Sequence, residues 1–261
     1  MITFFELNIG FEIIKKHLEQ TIFTKKFLYG LIRFFIVMIA WLISCSLMNK
    51  GQFISESKIG FFILTGIIAN NGIWVILDRI FSNIFDINSD KNISYYLVLP
   101  IKIYKFLIFR ILGLAIELFL KSLTCLFVGK ILFYKQINLI SLLINIKFLL
   151  TIFLINLCIS ALSIVFIAII KDTDILVDII NPMVSLGCYF FTWISVFNLY
   201  KYFSYFMLIN PFLYFVESTR SIIFGQSDFL PWNYCIMAIL FFTFMFGYFG
   251  IKKLKVRLDA I

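Results

Sequence analysis

Six stretches of this chain, at about residues 27–48, 59–84, 104–128, 142–170, 175–197 and 231–251, are long and apolar with few charges. A helix needs ~20 apolar residues to cross the ~30 Å hydrocarbon core of a bilayer, and each stretch reaches that length. Composition agrees: of the 261 residues 62% are hydrophobic and 14% charged, against roughly 45–50% and 25% in soluble domains. A water-soluble fold could not hide so much apolar surface, so lipid is the expected solvent. The connections are short, no internal repeat is visible, and 27–261 reads as one domain. The expected class is an all-α integral membrane protein with six transmembrane helices.

Residues 1–26 read differently. Leu7, Phe11, Ile14, Leu18 and Ile22 recur every three or four positions, which places them on one face of a helix. Glu12, Lys15, Lys16, Glu19 and Gln20 lie largely opposite. The pattern predicts an amphipathic helix lying flat at the membrane surface and entering the first span at Lys25-Lys26. Glu6 and Glu12 precede any basic residue and no small-residue cleavage site follows, so a signal peptide is not expected.

The net charge of +9 would suggest nucleic acid in a soluble chain; here it reads as orientation, and no nucleic-acid partner is expected. With both termini inside, the inner segments hold 12 basic residues, Lys15, Lys16, Lys25, Lys26, Lys91, Lys102, Lys105, Lys171, Lys252, Lys253, Lys255 and Arg257. The outer ones hold 6, namely Lys50, Lys58, Lys130, Lys135, Lys201 and Arg220. The excess favours both termini in the cytoplasm. Pro100, Pro211 and Pro231 lie near helix ends or in the last connection, while Pro182 falls inside the fifth span and should kink it.

Little in the sequence carries catalysis. There is no G-x-x-x-x-G-K-[ST], so ATP cannot be held through a P-loop. His17 is the sole histidine and is expected to face the surface. Cys45, Cys125, Cys158, Cys188 and Cys235 all sit in apolar runs without a CxxC pair. No catalytic, metal or cofactor site is therefore expected. Ser160 and Ser163 read as small polar residues for helix contacts. Charges inside spans need a reason, since one at mid-bilayer costs at least ~2.5–3.5 kcal/mol. Arg33 can snorkel, and Asp78-Arg79 lie near an inner end. Glu117 and Lys121 form an i,i+4 pair near mid-membrane that either steadies the bundle or contacts a polar substrate, with no third ionisable group expected beside it. Asn70-Asn71 either line a polar path or bond to a neighbouring helix.

Two connections stand out. FDINSDKNISYYLVLPIKIYK (85–105) can form a short inner helix, started by Asp90 or Asn92, presenting Tyr95, Tyr96, Leu97 and Leu99, and ended by Pro100. INPFLYFVESTRSIIFG (209–225) is too apolar for an aqueous loop, yet holds a proline, an acid and an arginine.

With the six spans, YYLVLPIKIYKFLIFRIL, ALSIVFIAIIKDTDILVDIINPMVSLGCYFF and INPFLYFVESTRSIIFG, in that order, resemble the ABC-2 type permeases. These are the membrane subunits of bacterial ABC exporters, and the likeness covers essentially the whole chain. It implies a homodimer in the inner membrane, bound to two copies of a separate ATPase that carries the ATP and Mg; no cofactor would be bound by this chain. It also implies that 1–26 is a connecting helix and that Ile93, Tyr95, Tyr96, Leu97, Leu99 and Pro100 couple to the ATPase. Residues 199–225 would form two outer re-entrant helices, broken at Asn210-Pro211, the second over Phe212–Phe224. Tyr214 and the pair Glu217–Arg220 would sit in that outer gate. Members of the family move drugs, lipid-linked glycans and polysaccharides. Competing readings are a non-transport membrane assembly or anchor protein, and a lipid-modifying enzyme; scattered single acids argue against the enzyme.

Overall fold

The computed structural model describes residues 4–22, 32, 36, 65–66, 68–69, 102–132, 145–169, 208–224 and 230–258. Among them the secondary structure is helical, in five helices: α1 (Phe4–Ile22), α2 (Ile103–Leu132), α3 (Ile146–Ile169), α4 (Pro211–Phe224) and α5 (Trp232–Leu258). α2, α3 and α5 coincide with the third, fourth and sixth expected spans. The spans expected at 27–48, 59–84 and 175–197 lie outside the described residues, apart from Ile32, Ile36, Thr65, Gly66, Ile68 and Ala69. So does the inner segment around Ile93–Pro100.

Local chemistry fixes several helix starts. α3 begins at Ile146 rather than 142 because Asn145 caps it. Its Oδ1 accepts hydrogen bonds from the backbone N–H of Lys147 (3.1 Å) and Phe148 (3.4 Å), satisfying donors that have no partner within the helix. α4 begins the same way: the Phe212 N–H donates to Asn210 Oδ1 at 3.0 Å, and Pro211 supplies a first residue whose φ is already helical. α5 continues past the expected end at 251 through Lys252, Lys253 and Lys255, cations that suit the negative end of a helix.

α3 is the centre of the described bundle, packing against α2, α4 and α5, while α1 lies on α2. The core joins Phe106, Leu107, Ile111 and Leu118 of α2 to Ile155, Ile159 and Ile164 of α3. Leu213 and Phe215 of α4 and Ile239 and Leu254 of α5 complete it. Two contacts set the direction of α5 against α3. Trp232 Nε1–H donates to Thr151 Oγ1 (2.8 Å) near both N-termini. Toward the C-termini a Cβ on Gly250 would stand 3.0 Å from the Val165 backbone nitrogen. The two helices therefore run parallel, and glycine lets them approach closely.

Among the described residues, two helices are long and apolar enough to cross a membrane, Ile146–Ile169 and Trp232–Val256. Their surroundings differ: 67% of the most apolar window is buried in the first and 17% in the second. α5 turns Met237, Phe241, Phe244 and Tyr248 outward, at a spacing that forms one continuous stripe.

α1 is the helix the sequence predicts, and its apolar stripe stays open: Leu7 and Phe11 are exposed, while Ile9 and Ile13, from a different face, lie against the core. Gly10 meets the ring of Phe109, and the ring of His17 lies against Gly113. At 3.6 residues per turn the packed face is about 120° from the stripe. The helix thus has three faces: one against α2, one apolar and open, and one charged. Close approach at the two glycines selected the packed face, and hydrophobicity alone could not reveal it.

Candidate functional site

Besides Lys105, buried at the start of α2, two groups of buried charge lie among the described helices. The first joins α1 to α2. Glu117 is fully buried in α2, and one turn later Lys121 Nζ stands 2.8 Å from its Oε1. The i,i+4 spacing makes this pair, as the sequence suggested. A third ionisable group is nevertheless present. His17 Nε2 lies 3.1 Å from Glu117 Oε2, and its side chain is only 21% exposed. The expectation of a lone, surface-facing histidine is thereby overturned. No local pattern connects positions 100 residues apart; only the packing of α1 on α2 does. The resulting cluster is a carboxylate held by two donors from two helices.

The second group lies on α4. This 14-residue helix is about 21 Å long, and every residue from Phe212 to Ser221 is buried, Glu217 and Arg220 included. Helices this enclosed are usually apolar on all sides; α4 carries Glu217, Ser218, Thr219, Arg220 and Ser221. The hydroxyls of Ser218, Thr219 and Ser221 donate to carbonyls of their own helix, at 2.8–3.0 Å for the shortest bond of each. Arg220 Nη1 stands 3.9 Å from Glu217 Oε1, an ion pair beyond hydrogen-bond length. The other carboxylate oxygen accepts the Leu230 N–H at 3.3 Å.

Ring contacts show how α4 lies. Tyr214 is 6.2 Å from Tyr234 and 6.1 Å from Phe242, centroid to centroid, while Glu217, one turn on, reaches back to Leu230. α4 therefore runs antiparallel to α5, beside its first turns. Phe242 lies ten residues beyond Trp232, about 15 Å along a helix, and that is how far α4 extends beside the span. The Tyr214 hydroxyl donates to the Leu208 carbonyl at 2.6 Å, closing the turn that leads into Asn210 and Pro211.

Of the residues singled out from sequence, the fold unites Asn210, Pro211, Tyr214, Glu217 and Arg220 on α4 and its cap. Glu117 and Lys121 come together on α2, apart from them. Asn70, Asn71, Ile93, Tyr95, Tyr96, Leu97, Leu99 and Pro100 lie outside the described residues. Ser160 and Ser163 are buried at helix contacts, but their hydroxyls donate to carbonyls of α3 itself, those of Asn156 and Ser160. The cross-helix bond comes instead from Asn156, which was not singled out: its Nδ2 donates to Ser122 Oγ of α2 at 3.2 Å. Also unforeseen is Trp232, which bonds Thr151 while Lys147 Nζ lies 5.4 Å from its ring centroid. Aromatic and basic residues meeting at a helix end are the signal that could have found it.

Cys125, Cys158 and Cys235 are free thiols and buried, in keeping with their reading as small apolar side chains. Among the described residues no group of three or more His, Cys, Asp or Glu could hold a metal ion. In both groups the carboxylate reaches a second segment, α1 through His17 in the first and Leu230 in the second. Comparison with protein-family models gives no match, and comparison with curated protein sequences gives none either.

Proposed function

We propose that this chain is the membrane permease of an ABC exporter of the ABC-2 type. It would work as a homodimer in the bacterial inner membrane and be driven by a separate ATPase bound in two copies. The observation that carries this reading is α4, a short helix buried from Phe212 to Ser221 and folded back beside the first turns of a membrane-length helix. Non-spanning backbone is tolerated at membrane depth where protein buries it or a cavity accepts it, and α4 meets the first condition. It occupies the stretch INPFLYFVESTRSIIFG, whose likeness to the outer gate of these permeases was drawn from sequence.

Two further features support a multi-span chain. The outward stripe of α5 is apolar over about 17 Å, roughly half the hydrocarbon core of a bilayer, and suits lipid contact. Because α3 and α5 run parallel, the chain between them has to return to the side on which α3 began, the task assigned to the span at 175–197. In this reading ATP binding closes the two ATPases and pulls on the inner segment Ile93–Pro100. The helices then shift between inward- and outward-open arrangements, and α4, with Glu217 and Arg220, caps the outer end. Hydrolysis and its Mg belong to the partner chain.

The test is purification of the full chain with its own membrane complex. A P-loop ATPase should co-elute in equal amount, and Leu97→Asp should reduce its recovery severalfold while leaving the permease folded. A chain that purifies alone and retains its cellular activity without an ATPase would instead be an anchor or assembly protein, and the export reading would fall.

A further inference from the structure

α1 is held against α2 by a single face. Ile9, Gly10, Ile13 and His17 form that face; Leu7, Phe11, Glu12, Lys15, Lys16 and Glu19 are exposed. A polar tie across the contact is the hydrogen bond from His17 Nε2–H to Glu117 Oε2, 3.1 Å long. Ownership of the charges in this cluster is unequal. Glu117 and Lys121 belong to the same helix, so their 2.8 Å ion pair moves with α2 wherever α1 goes. His17 comes from the other side.

This inequality has a physical consequence. Separating the partners of a buried ion pair is costly because it leaves a charge uncompensated. Here, lifting α1 away takes a histidine from Glu117 and leaves its lysine in place. The surroundings are also shallow: glycines stand at two of the closest approaches, Gly10 under the Phe109 ring and Gly113 under the His17 ring.

We propose that α1 is a strap that docks on α2 and releases from it, with His17 closing the latch on Glu117. Lys121 compensates the carboxylate when the latch is open. Release uncovers the face of α2 around Phe109 and Gly113 and frees Ile9 and Ile13. The inference does not depend on the export reading and concerns any function in which α1 moves.

The experiment uses the full chain in lipid nanodiscs, its native cysteines replaced and spin labels placed at the exposed positions Phe11 and Ile108. Pulsed dipolar spectroscopy then reads the α1–α2 distance. The distribution should contain a short docked population and a longer released one. His17→Ala should raise the ratio of released to docked about tenfold, the effect of losing one hydrogen bond to a charged group. Lys121→Met should act in the opposite direction, because His17 then becomes the partner whose departure strands Glu117, and the released population should shrink. If Lys121→Met loosens α1 as His17→Ala does, the cluster is a static ion network and the strap is wrong. Identical distributions in all three proteins would overturn it equally. Should His17→Ala fail to fold, His17→Gln, which keeps an N–H donor with a different reach, should give a larger released population than wild type; a released population equal to wild type would count against the latch.

Discussion

Glu117 and Glu217 are both buried carboxylates with a cation on their own helix, and they serve different connections. Glu117 has Lys121 at 2.8 Å and reaches His17, 100 residues earlier in the chain. Glu217 has Arg220 at 3.9 Å and reaches the backbone of Leu230, 13 residues later. The first ties an N-terminal helix to a distant one; the second closes a local helical hairpin. In both, spacing within one helix supplies charge compensation, and the remaining oxygen decides which other segment is fastened. The two also differ in exposure: Lys121 keeps partial access at 13%, whereas Arg220 has none.

That difference can be broken experimentally, and the largest effect should come from Arg220→Met. It leaves Glu217 fully buried without the guanidinium, and breaking a buried pair from one side costs about 3–5 kcal/mol. Thermal unfolding in detergent should show a large loss of Tm, and adding Glu217→Gln should recover part of it. Recovery of nothing would mean that Arg220 acts through packing rather than charge. Lys121→Met should cost less, about 1–3 kcal/mol, because His17 still reaches the carboxylate and the lysine was partly solvated. Equal losses at the two sites would remove the distinction. Smaller still is Asn210→Ala, which strips the cap from α4 without touching either carboxylate. Its expected cost is about 1 kcal/mol, visible as a modest fall in Tm. A larger one would show that the cap also fixes where Glu217 and Arg220 sit.

What could be read from sequence was local. Asn210-Pro211 announces a helix start by itself, and α4 follows one residue ahead of expectation. The existence of α2, α3 and α5 follows from apolar runs that outlast any competing signal, whereas the start of α3 and the end of α5 were set by a cap and by terminal lysines. The pair at 117 and 121 follows from helical spacing. What escaped was set by packing. The stripe from Leu7 to Ile22 marks the helix but says nothing of its contact with α2, since Gly10 and Gly113 decide where α1 meets α2. His17 looked solitary because its partner lies on another helix. Ser160 and Ser163 drew attention as polar residues in a span, yet Asn156 makes the bond to Ser122. A hydroxyl can satisfy itself on its own helix, while a carboxamide has a second hydrogen to spend elsewhere.

The polar residues of α3 lead to a last point. Thr151, Ser160 and Ser163 each turn the hydroxyl hydrogen back to a carbonyl of the same helix. Asn156 uses its two amide hydrogens on Ile152 O and Ser122. A buried donor left without a partner is costly in an apolar setting, and none of these four side chains leaves one. A helix long and apolar enough to cross a membrane thereby carries four polar side chains with every donor hydrogen spoken for.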